Sequence, residues 1–183
     1  MSDEELIQEI VNGNDPFFRN LIEKYQTMVF RTAMGFVHSK EDAEDITQDV
    51  FVFIFNSLDS FQYKSTLSTW IYRITLNTSI NFVNKHRVKN FFVGIEDTLT
   101  TFFHRTPEHQ DPHAQLEEEE LKKSIKNAID TLNDKQKTAF VLSRYDDLPQ
   151  REIAEIMGIS EGAVEQLLQR AKTNLRKKLR FLE

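Results

Sequence analysis

The stretch EIAEIMGISEGAVEQLL, residues 152–168, decides the fold predicted for the C-terminal part of the chain. Ile153 takes an inward position on a first helix, and the small side chain of Ala154 lets a second helix approach closely. Gly158 stands where the backbone must become left-handed, a conformation that glycine adopts at little cost. Ser160 is a favoured N-cap for a second helix, so the stretch predicts a helix-turn-helix motif.

The second helix of this motif carries the residues that are expected to contact DNA. Glutamine and arginine side chains can hydrogen bond to base edges in the major groove, and lysine can bind phosphate. The candidate contacts are Ser160, Glu161, Gln166, Gln169, Arg170, Lys172 and Thr173. Glu165 also points outward; it must avoid the DNA backbone, accept from a cytosine amino group or meet another partner. The alternative for this stretch is a plain helical hairpin. Even a helix-turn-helix does not set its function by shape alone.

The chain as a whole is acidic, but its C-terminal end is basic. The 183 residues carry a formal net charge of −6, yet no acidic residue stands between Glu165 and Glu183. The basic residues of that segment are Arg170, Lys172, Arg176, Lys177, Lys178 and Arg180. Such a patch can attract the phosphates of DNA although the net charge is negative.

The composition argues against several classes of protein. There is no cysteine, so disulfides and cysteine-ligated zinc are impossible and a reducing cytoplasm is the expected location. No apolar run approaches the roughly 20 residues that a membrane span needs, so no membrane insertion is expected. The sequence has no recognisable nucleophilic arrangement and no phosphate-binding glycine loop, so neither an enzyme nor a cofactor is expected. His104, His109 and His113 fall in a predicted linker without a fixed scaffold, so no metal site is expected there.

Helical periodicity extends over most of the chain, and no segment alternates long enough to predict a sheet. Asp15 and Pro16 predict a capped start for a second helix, and Ser39 predicts the start of a third. A fourth helix is expected from about residue 67 to residue 87. Residues 91–115 lose the periodicity and contain half of the four prolines, so they are predicted to form a flexible linker. The prediction is an all-α fold of two small helical domains, residues 1–90 and 116–183.

Three blocks of sequence, two N-terminal and one C-terminal, together resemble a known family. The C-terminal block is IDTLNDKQKTAFVLSRYDDLPQREIAEIMGISEGAVEQLLQRAKTNLRKKL, and the N-terminal blocks are DAEDITQDVFVFIFNSLDSF and STLSTWIYRITLNTSIN. In this order, and over nearly the whole chain, they resemble bacterial RNA polymerase sigma factors of the extracytoplasmic-function (ECF) group of the sigma-70 family. The resemblance implies that residues 1–90 are region 2, which binds core polymerase and recognises and melts the minus-ten promoter element. Residues 116–183 would then be region 4, which binds the minus-thirty-five element.

The resemblance also implies the partners. These are core RNA polymerase, through its β′ clamp helices and its β flap, promoter DNA, and an anti-sigma factor. Acidic residues lie on the exposed side of the predicted third helix, where like charges four positions apart repel each other, so a basic partner would explain them. The candidate core-binding residues are Asp42, Glu44, Asp45, Gln48 and Asp49. A merely solvated acidic face is the alternative.

In the family, the loop after the third helix holds a base that has left the stacked minus-ten strand. Extrusion of a base costs a few kcal/mol, so the loop must offer a shaped pocket. The candidate minus-ten contacts are Phe61, Gln62, Lys64, Ser65, Thr66, Asn77, Asn81, Lys85 and Arg87. Core packing is the alternative for Phe61 and is expected for Trp70. Lys85 and Arg87 could instead complement the C-terminus of their helix.

The sequence departs from the family pattern early in the recognition helix. Ala163, Glu165 and Gln166 stand where many members have threonine, basic or serine residues. The individual contacts to the minus-thirty-five element are therefore open. The way in which the recognition helix docks on DNA is still expected to follow the family. Two other functions remain as alternatives: a helix-turn-helix regulator that acts without polymerase, and a sigma mimic that titrates an anti-sigma factor.

Overall fold

The computed structural model describes residues 2–93 and 112–180, which we call the N-terminal half and the C-terminal half. Within these residues the regular structure is entirely helical, so the all-α prediction is confirmed. The helices are α1 (Asp3–Val11), α2 (Pro16–Val37), α3 (Lys40–Ser57), α4 (Leu67–Val93), α5 (Pro112–Asp130), α6 (Asp134–Arg144), α7 (Gln150–Met157) and α8 (Glu161–Lys178), with a 3-10 turn at Leu58–Ser60. The predicted linker, residues 91–115, therefore overlaps helical residues at both of its ends.

Side-chain caps fix where most of the helices begin. The hydroxyl of Ser2 accepts from the amide of Glu5, whose carboxylate accepts from the amide of Ser2 in return. Ser39 caps α3, and Asn133 caps α6 with its side-chain oxygen 2.9 Å from the amide nitrogen of Gln136. These caps hold the starts of α1, α3 and α6, and the start at Ser39 is the one expected from the sequence.

The predicted side-chain cap of α2 is wrong. Asp15 has helical backbone angles and its side chain makes no capping hydrogen bond. Pro16 follows it and has no amide hydrogen to satisfy. The next two amides, of Phe17 and Phe18, donate to the carbonyls of Asn14 and Asp15 at 3.0 and 2.9 Å. The backbone therefore closes this helix start without the carboxylate of Asp15.

The N-terminal half packs α1 to α4 around one apolar core. Its fully buried side chains include Leu21, Val29, Ile46, Ile54 and Ile71, which come from α2, α3 and α4. Burial of one such side chain is worth about 1.5–3 kcal/mol, so this core is the main source of stability of the half. It holds the acidic side of α3 and the loop between α3 and α4 at the surface.

The C-terminal half has a core that continues into the N-terminal half. Val141, Leu142, Ile153 and Val164 of α6 to α8 are fully buried. The same apolar cluster includes three residues of the other half, Phe36, Tyr72 and Leu76. The sequence indicates that Phe36, Tyr72 and Leu76 lie on apolar helix faces, but it does not indicate which helices pack against those faces. The helices of the two predicted domains thus pack against each other directly.

Candidate DNA and polymerase interfaces

The helix-turn-helix has the local geometry that its sequence predicts. Gly158 ends α7 in the left-handed region, at φ 65°. The amide of Ile159 donates to the carbonyl of Ala154 at 3.0 Å, which closes the end of α7. The hydroxyl of Ser160 then caps α8, 3.2 Å from the amide nitrogen of Ala163. Glycine, closing bond and cap together set the angle between α7 and α8.

Helix α8 buries one side and exposes the other. Val164 and Ala171 are fully buried, and Leu167, Leu168 and Leu175 are partly buried. The predicted minus-thirty-five contacts are all exposed: Ser160, Glu161, Gln166, Gln169, Arg170, Lys172 and Thr173. Glu165 is exposed as well. The structure therefore brings all the candidates to the accessible side of a single helix.

A groove of about 400 Å³ lies between α6 and α8. Phe140, Leu168, Leu175 and Leu179 form its apolar lining, and basic residues such as Lys172 and Arg176 also line it. Sequence analysis did not single out this groove, because it forms only where the two helices meet. Its chemistry suits an apolar side chain carried by a partner with acidic flanks.

The acidic side of α3 points away from the core. Ala43, Ile46 and Val50 are fully buried on the opposite side of the helix. Of the predicted polymerase contacts, Glu44, Asp45, Gln48 and Asp49 are exposed and Asp42 is partly buried. Lys40 lies 3.7 Å from Glu44, so one of these carboxylates already has a basic neighbour.

The sequence analysis missed two apolar residues that extend the acidic side of α3. Val52 is 60% exposed and Phe53 is 55% exposed, which is unusual for a large apolar side chain in a packed helix. They follow Asp45 and Asp49 at helical spacing of three or four residues. The signal was present in the run VFVFIF, which is apolar on more sides than one buried stripe requires.

The loop between α3 and α4 is built on aromatic rings that pack at a tilt against one another. Phe61 is only 8% exposed, and its ring centroid lies 5.3 Å from that of Trp70. Phe61 belongs to the core of the N-terminal half, as its alternative interpretation held, and the partly buried Trp70 packs against that core, as expected. A direct contact of Phe61 with a base stays a prediction. The polar candidates Gln62, Lys64 and Thr66 are exposed above these rings, and Ser65 is partly exposed.

Tyr63 is the residue of this loop that sequence analysis passed over. It has a left-handed backbone, with φ 55°, which is strained for a bulky side chain. Its ring is half exposed and lies 4.9 Å, centroid to centroid, from Phe61. An exposed ring among polar side chains can stack on a nucleic-acid base.

Helix α4 presents its polar candidates along one line. Asn77, Asn81 and Lys85 are all exposed and follow one another at intervals of four residues. The side chain of Arg87 lies outside the described residues, as do His104, His109 and the side chain of His113. In the described part of the chain, no group of three histidine, aspartate or glutamate residues could hold a metal ion. None of the described helices has the length and apolar character to cross a membrane.

Two family models match the parts of the chain that carry these surfaces. Residues 21–88 match sigma-70 region 2, and residues 122–175 match sigma-70, region 4. The chain belongs to the sigma-70 family. The first match contains α3, the loop and most of α4, and the second contains α6, α7 and most of α8. The acidic side of α3 and the recognition helix α8 thus lie in two different sigma-70 regions.

Similar proteins and structures agree with this membership. The chain is 29% identical over 180 residues to the ECF RNA polymerase sigma factor SigW of Bacillus subtilis, covering 96% of each chain. It is 28% identical to the ECF RNA polymerase sigma-E factor of Escherichia coli K12, covering 100% of this chain and 96% of that one. The predicted resemblance to ECF sigma factors is confirmed.

The fold also resembles two solved structures. One is CnrH in complex with the cytosolic domain of CnrY, with 24% identity, a TM-score of 0.66 and coverage of 97% of this chain and 96% of that chain. The other is the sigma factor RpoE in complex with the anti-sigma factor NepR from Bartonella quintana, with 22% identity, a TM-score of 0.58 and coverage of 89% and 96%. At these identities the likeness supports the fold.

Proposed function

We propose that this protein is a sigma factor that binds core RNA polymerase, directs it to a two-part promoter and starts DNA-templated transcription in the cytoplasm. One observation carries the proposal: a single chain contains both sigma-70 regions, and most of the predicted partner-binding side chains of each region are exposed. The protein forms and breaks no covalent bond itself, because the polymerase carries out the chemistry.

The acidic side of α3 binds the β′ clamp helices of the polymerase. Exposed carboxylates on a rigid helix favour a basic partner and speed its association. Val52 and Phe53 continue this side with apolar surface that a partner can bury. The acids supply orientation and the apolar end supplies much of the affinity.

The groove between α6 and α8 receives the β flap of the polymerase. Its apolar lining and basic residues suit an amphipathic helix that inserts apolar side chains. Because α8 forms one wall of this groove and also carries the recognition residues, flap binding positions the DNA-contacting side of the helix.

Helix α8 recognises the minus-thirty-five element in the major groove. Gln166, Gln169 and Arg170 contact bases in this proposal, whereas Lys172 and Thr173 contact phosphates. The N-terminus of α8 adds a favourable site for a phosphate at Ser160 and Glu161, although the carboxylate of Glu161 restricts how close that phosphate comes.

The loop and α4 bind the minus-ten strand. Gln62, Lys64, Ser65 and Thr66 offer polar groups to an extruded base, and Phe61 supports the loop from below. Tyr63 adds an exposed ring on which a base can stack. Asn77, Asn81, Lys85 and Arg87 follow along α4 and contact the strand beyond the loop.

An anti-sigma factor regulates the protein. A neighbour of the same fold, RpoE of Bartonella quintana, was solved in complex with the anti-sigma factor NepR. The exposed apolar residues of α3 and the groove of the C-terminal half offer such a partner the same surfaces that polymerase uses.

Reconstituted transcription tests the proposal. Purified core polymerase is supplied with this protein and a pool of templates with randomised upstream DNA, and transcripts are sequenced. We expect transcripts that start downstream of a shared two-part motif. A regulator that acts alone would bind DNA without core, and a sigma mimic would bind an anti-sigma factor but give no transcripts; either result contradicts the proposal.

A further inference from the structure

Glu165 is the only acidic residue of α8 after the first residue of that helix. It follows the fully buried Val164, and its own side chain is exposed. Among the residues that the structure describes, none forms a hydrogen bond or an ion pair with Glu165. A carboxylate repels the phosphates of DNA, so its place on a DNA-binding helix favours a contact with a base over a contact with the DNA backbone.

Glu165 shares one side of α8 with Gln169 and Lys172. The three residues are spaced by four and three positions, so they lie on successive turns of the helix. All three side chains are exposed. One helical turn advances about 5.4 Å and one base pair about 3.4 Å, so Glu165 and Gln169 would reach base pairs that are roughly one or two steps apart.

The first turn of α8 leaves room for a close approach to DNA. Gly162 is exposed, and a Cβ atom there would meet nothing within 4 Å. The side chain of Ala163 ends at its Cβ atom. Beyond these two small residues, Glu165 and Gln166 are the next long exposed side chains. Recognition helices present their N-terminal residues to base edges, so Glu165 is placed to reach a base.

The chemistry of a carboxylate selects one base. The carboxylate of Glu165 accepts hydrogen bonds and has none to donate. In the major groove, guanine offers two acceptors and thymine offers an acceptor and a methyl group, so neither base bonds to a carboxylate. Adenine offers a donor beside an acceptor, a pattern that suits an amide such as that of Gln169. Cytosine offers its N4 amino group alone, which a carboxylate accepts directly.

The same carboxylate also penalises other sequences. Against O6 and N7 of guanine or O4 of thymine, like partial charges repel each other, and the carboxylate loses water without gaining a partner. Gln166 and Gln169 do not exclude bases in this way, because an amide can both donate and accept. Glu165 therefore discriminates by repulsion as well as by attraction.

We propose that Glu165 sets a base preference of α8: its carboxylate accepts from the N4 amino group of a cytosine in the minus-thirty-five element, within about two base pairs of the pair that Gln169 contacts. The inference rests on the proposed function and adds a specificity residue to the contacts assigned there. Replacement of this residue changes which sequence is recognised and leaves binding to polymerase unchanged.

The base preferences of matched variants test the proposal. Holoenzyme made with the wild-type protein first selects its minus-thirty-five element from templates with randomised upstream DNA. Each position of that element is then changed to every other base pair, and transcription is measured with wild type, Glu165→Gln and Glu120→Gln. Glu120 is an exposed residue of α5, so its replacement makes the same change of charge outside α8.

We expect one C·G position in the wild-type element at which any other base pair lowers transcription by a factor of roughly five or more. Glu165→Gln should lose less than about twofold at that position and gain a preference for adenine, because an amide pairs with adenine, while its losses at the other positions match wild type. Glu165→Arg should favour guanine at the same position of the same strand. Glu120→Gln should show the wild-type pattern throughout.

Identical base preferences of wild type and Glu165→Gln overturn the proposal. Fluorescence anisotropy of labelled protein with core polymerase gives a second readout. Weaker core binding by Glu165→Gln, together with the wild-type base pattern, would place the carboxylate against polymerase and would also overturn the proposal. Absence of promoter-specific transcripts from the wild-type holoenzyme would instead overturn the proposed function itself.

Discussion

At the scale of single residues, two residues with positive φ, Gly158 and Tyr63, have different structural roles. Gly158 has a left-handed backbone and ends α7, and a Cβ atom there would meet nothing within 4 Å. The requirement for glycine is therefore conformational and not steric. Tyr63 has a similar backbone angle with a bulky side chain, so its strain is tolerated where DNA is expected to bind.

Replacement of Gly158 by alanine tests the conformational requirement. We expect Gly158→Ala to lower the free energy of unfolding by about 1–2 kcal/mol, because a left-handed backbone is costly for a residue with a Cβ atom. Gly162→Ala is the matched control: it lies in α8 with the same open surroundings and should raise stability by about 0.5–1 kcal/mol. Urea denaturation of both variants measures the difference, and equal effects would contradict the account.

Replacement of Tyr63 separates its backbone strain from its ring. Tyr63→Gly should leave stability unchanged or raise it by up to about 1 kcal/mol, since glycine adopts this angle at little cost. Promoter melting should fall, because no ring remains to stack on a base, whereas Tyr63→Phe should melt the promoter as wild type does. Permanganate reactivity of the minus-ten thymines measures melting. Wild-type melting by Tyr63→Gly would remove this ring from the site.

At the scale of elements, α3 combines a charged surface with an apolar one. The acids were predicted from the sequence, and the structure exposes all of them except the partly buried Asp42. The apolar extension at Val52 and Phe53 was not predicted, because helical periodicity alone does not reveal which apolar residues lack a neighbour. Their role in binding stays a prediction until polymerase binding is measured.

Charge reversal on α3 tests its role. Asp45→Lys should weaken binding to core polymerase at least tenfold, since it places like charge against a basic partner. Val52→Ala should also weaken binding to core polymerase. Its loss of affinity should depend less on salt concentration than that of Asp45→Lys, because it removes apolar contact area and no charge. Glu23→Lys makes the same charge change on α2 and should bind as wild type. Fluorescence anisotropy with labelled protein measures the affinity for core polymerase. Equal losses of affinity in Asp45→Lys and Glu23→Lys would contradict a specific role of the acidic side of α3.

At the scale of the whole molecule, the elements followed from the sequence but their assembly did not. Caps at Ser39 and Asn133 and the glycine turn at Gly158 are local, so the pattern of residues determines them. The interface between the halves depends on Gly35 and Asp146, whose partners lie more than a hundred residues away. No local pattern distinguishes such residues from ordinary helix and turn positions. The domain limits at 1–90 and 116–183 remain a prediction.

The interface between the halves should depend on pH through Asp130. Burial raises the pKa of this carboxyl, but hydrogen bonds with His38 and Lys137 outweigh burial and lower it to about 2. A carboxylate with a lowered pKa stabilises the folded state above about pH 4, and this contribution is lost as pH falls toward 2. Asp130→Asn should therefore show a smaller drop in melting temperature between pH 5 and pH 2 than wild type. An identical drop in both proteins would contradict this role.

Footprinting of the polymerase complex on its promoter tests the central claim most directly, because a sigma factor binds two separated elements only as part of the holoenzyme. The holoenzyme should protect two segments about 25 base pairs apart, and the free protein should protect neither. With Arg170→Ala, protection of the minus-thirty-five segment should be lost while core binding persists, and Lys135→Ala, an exposed residue of α6, should behave as wild type. Protection of DNA by the free protein alone, or of a single segment by the wild-type holoenzyme, would contradict the account.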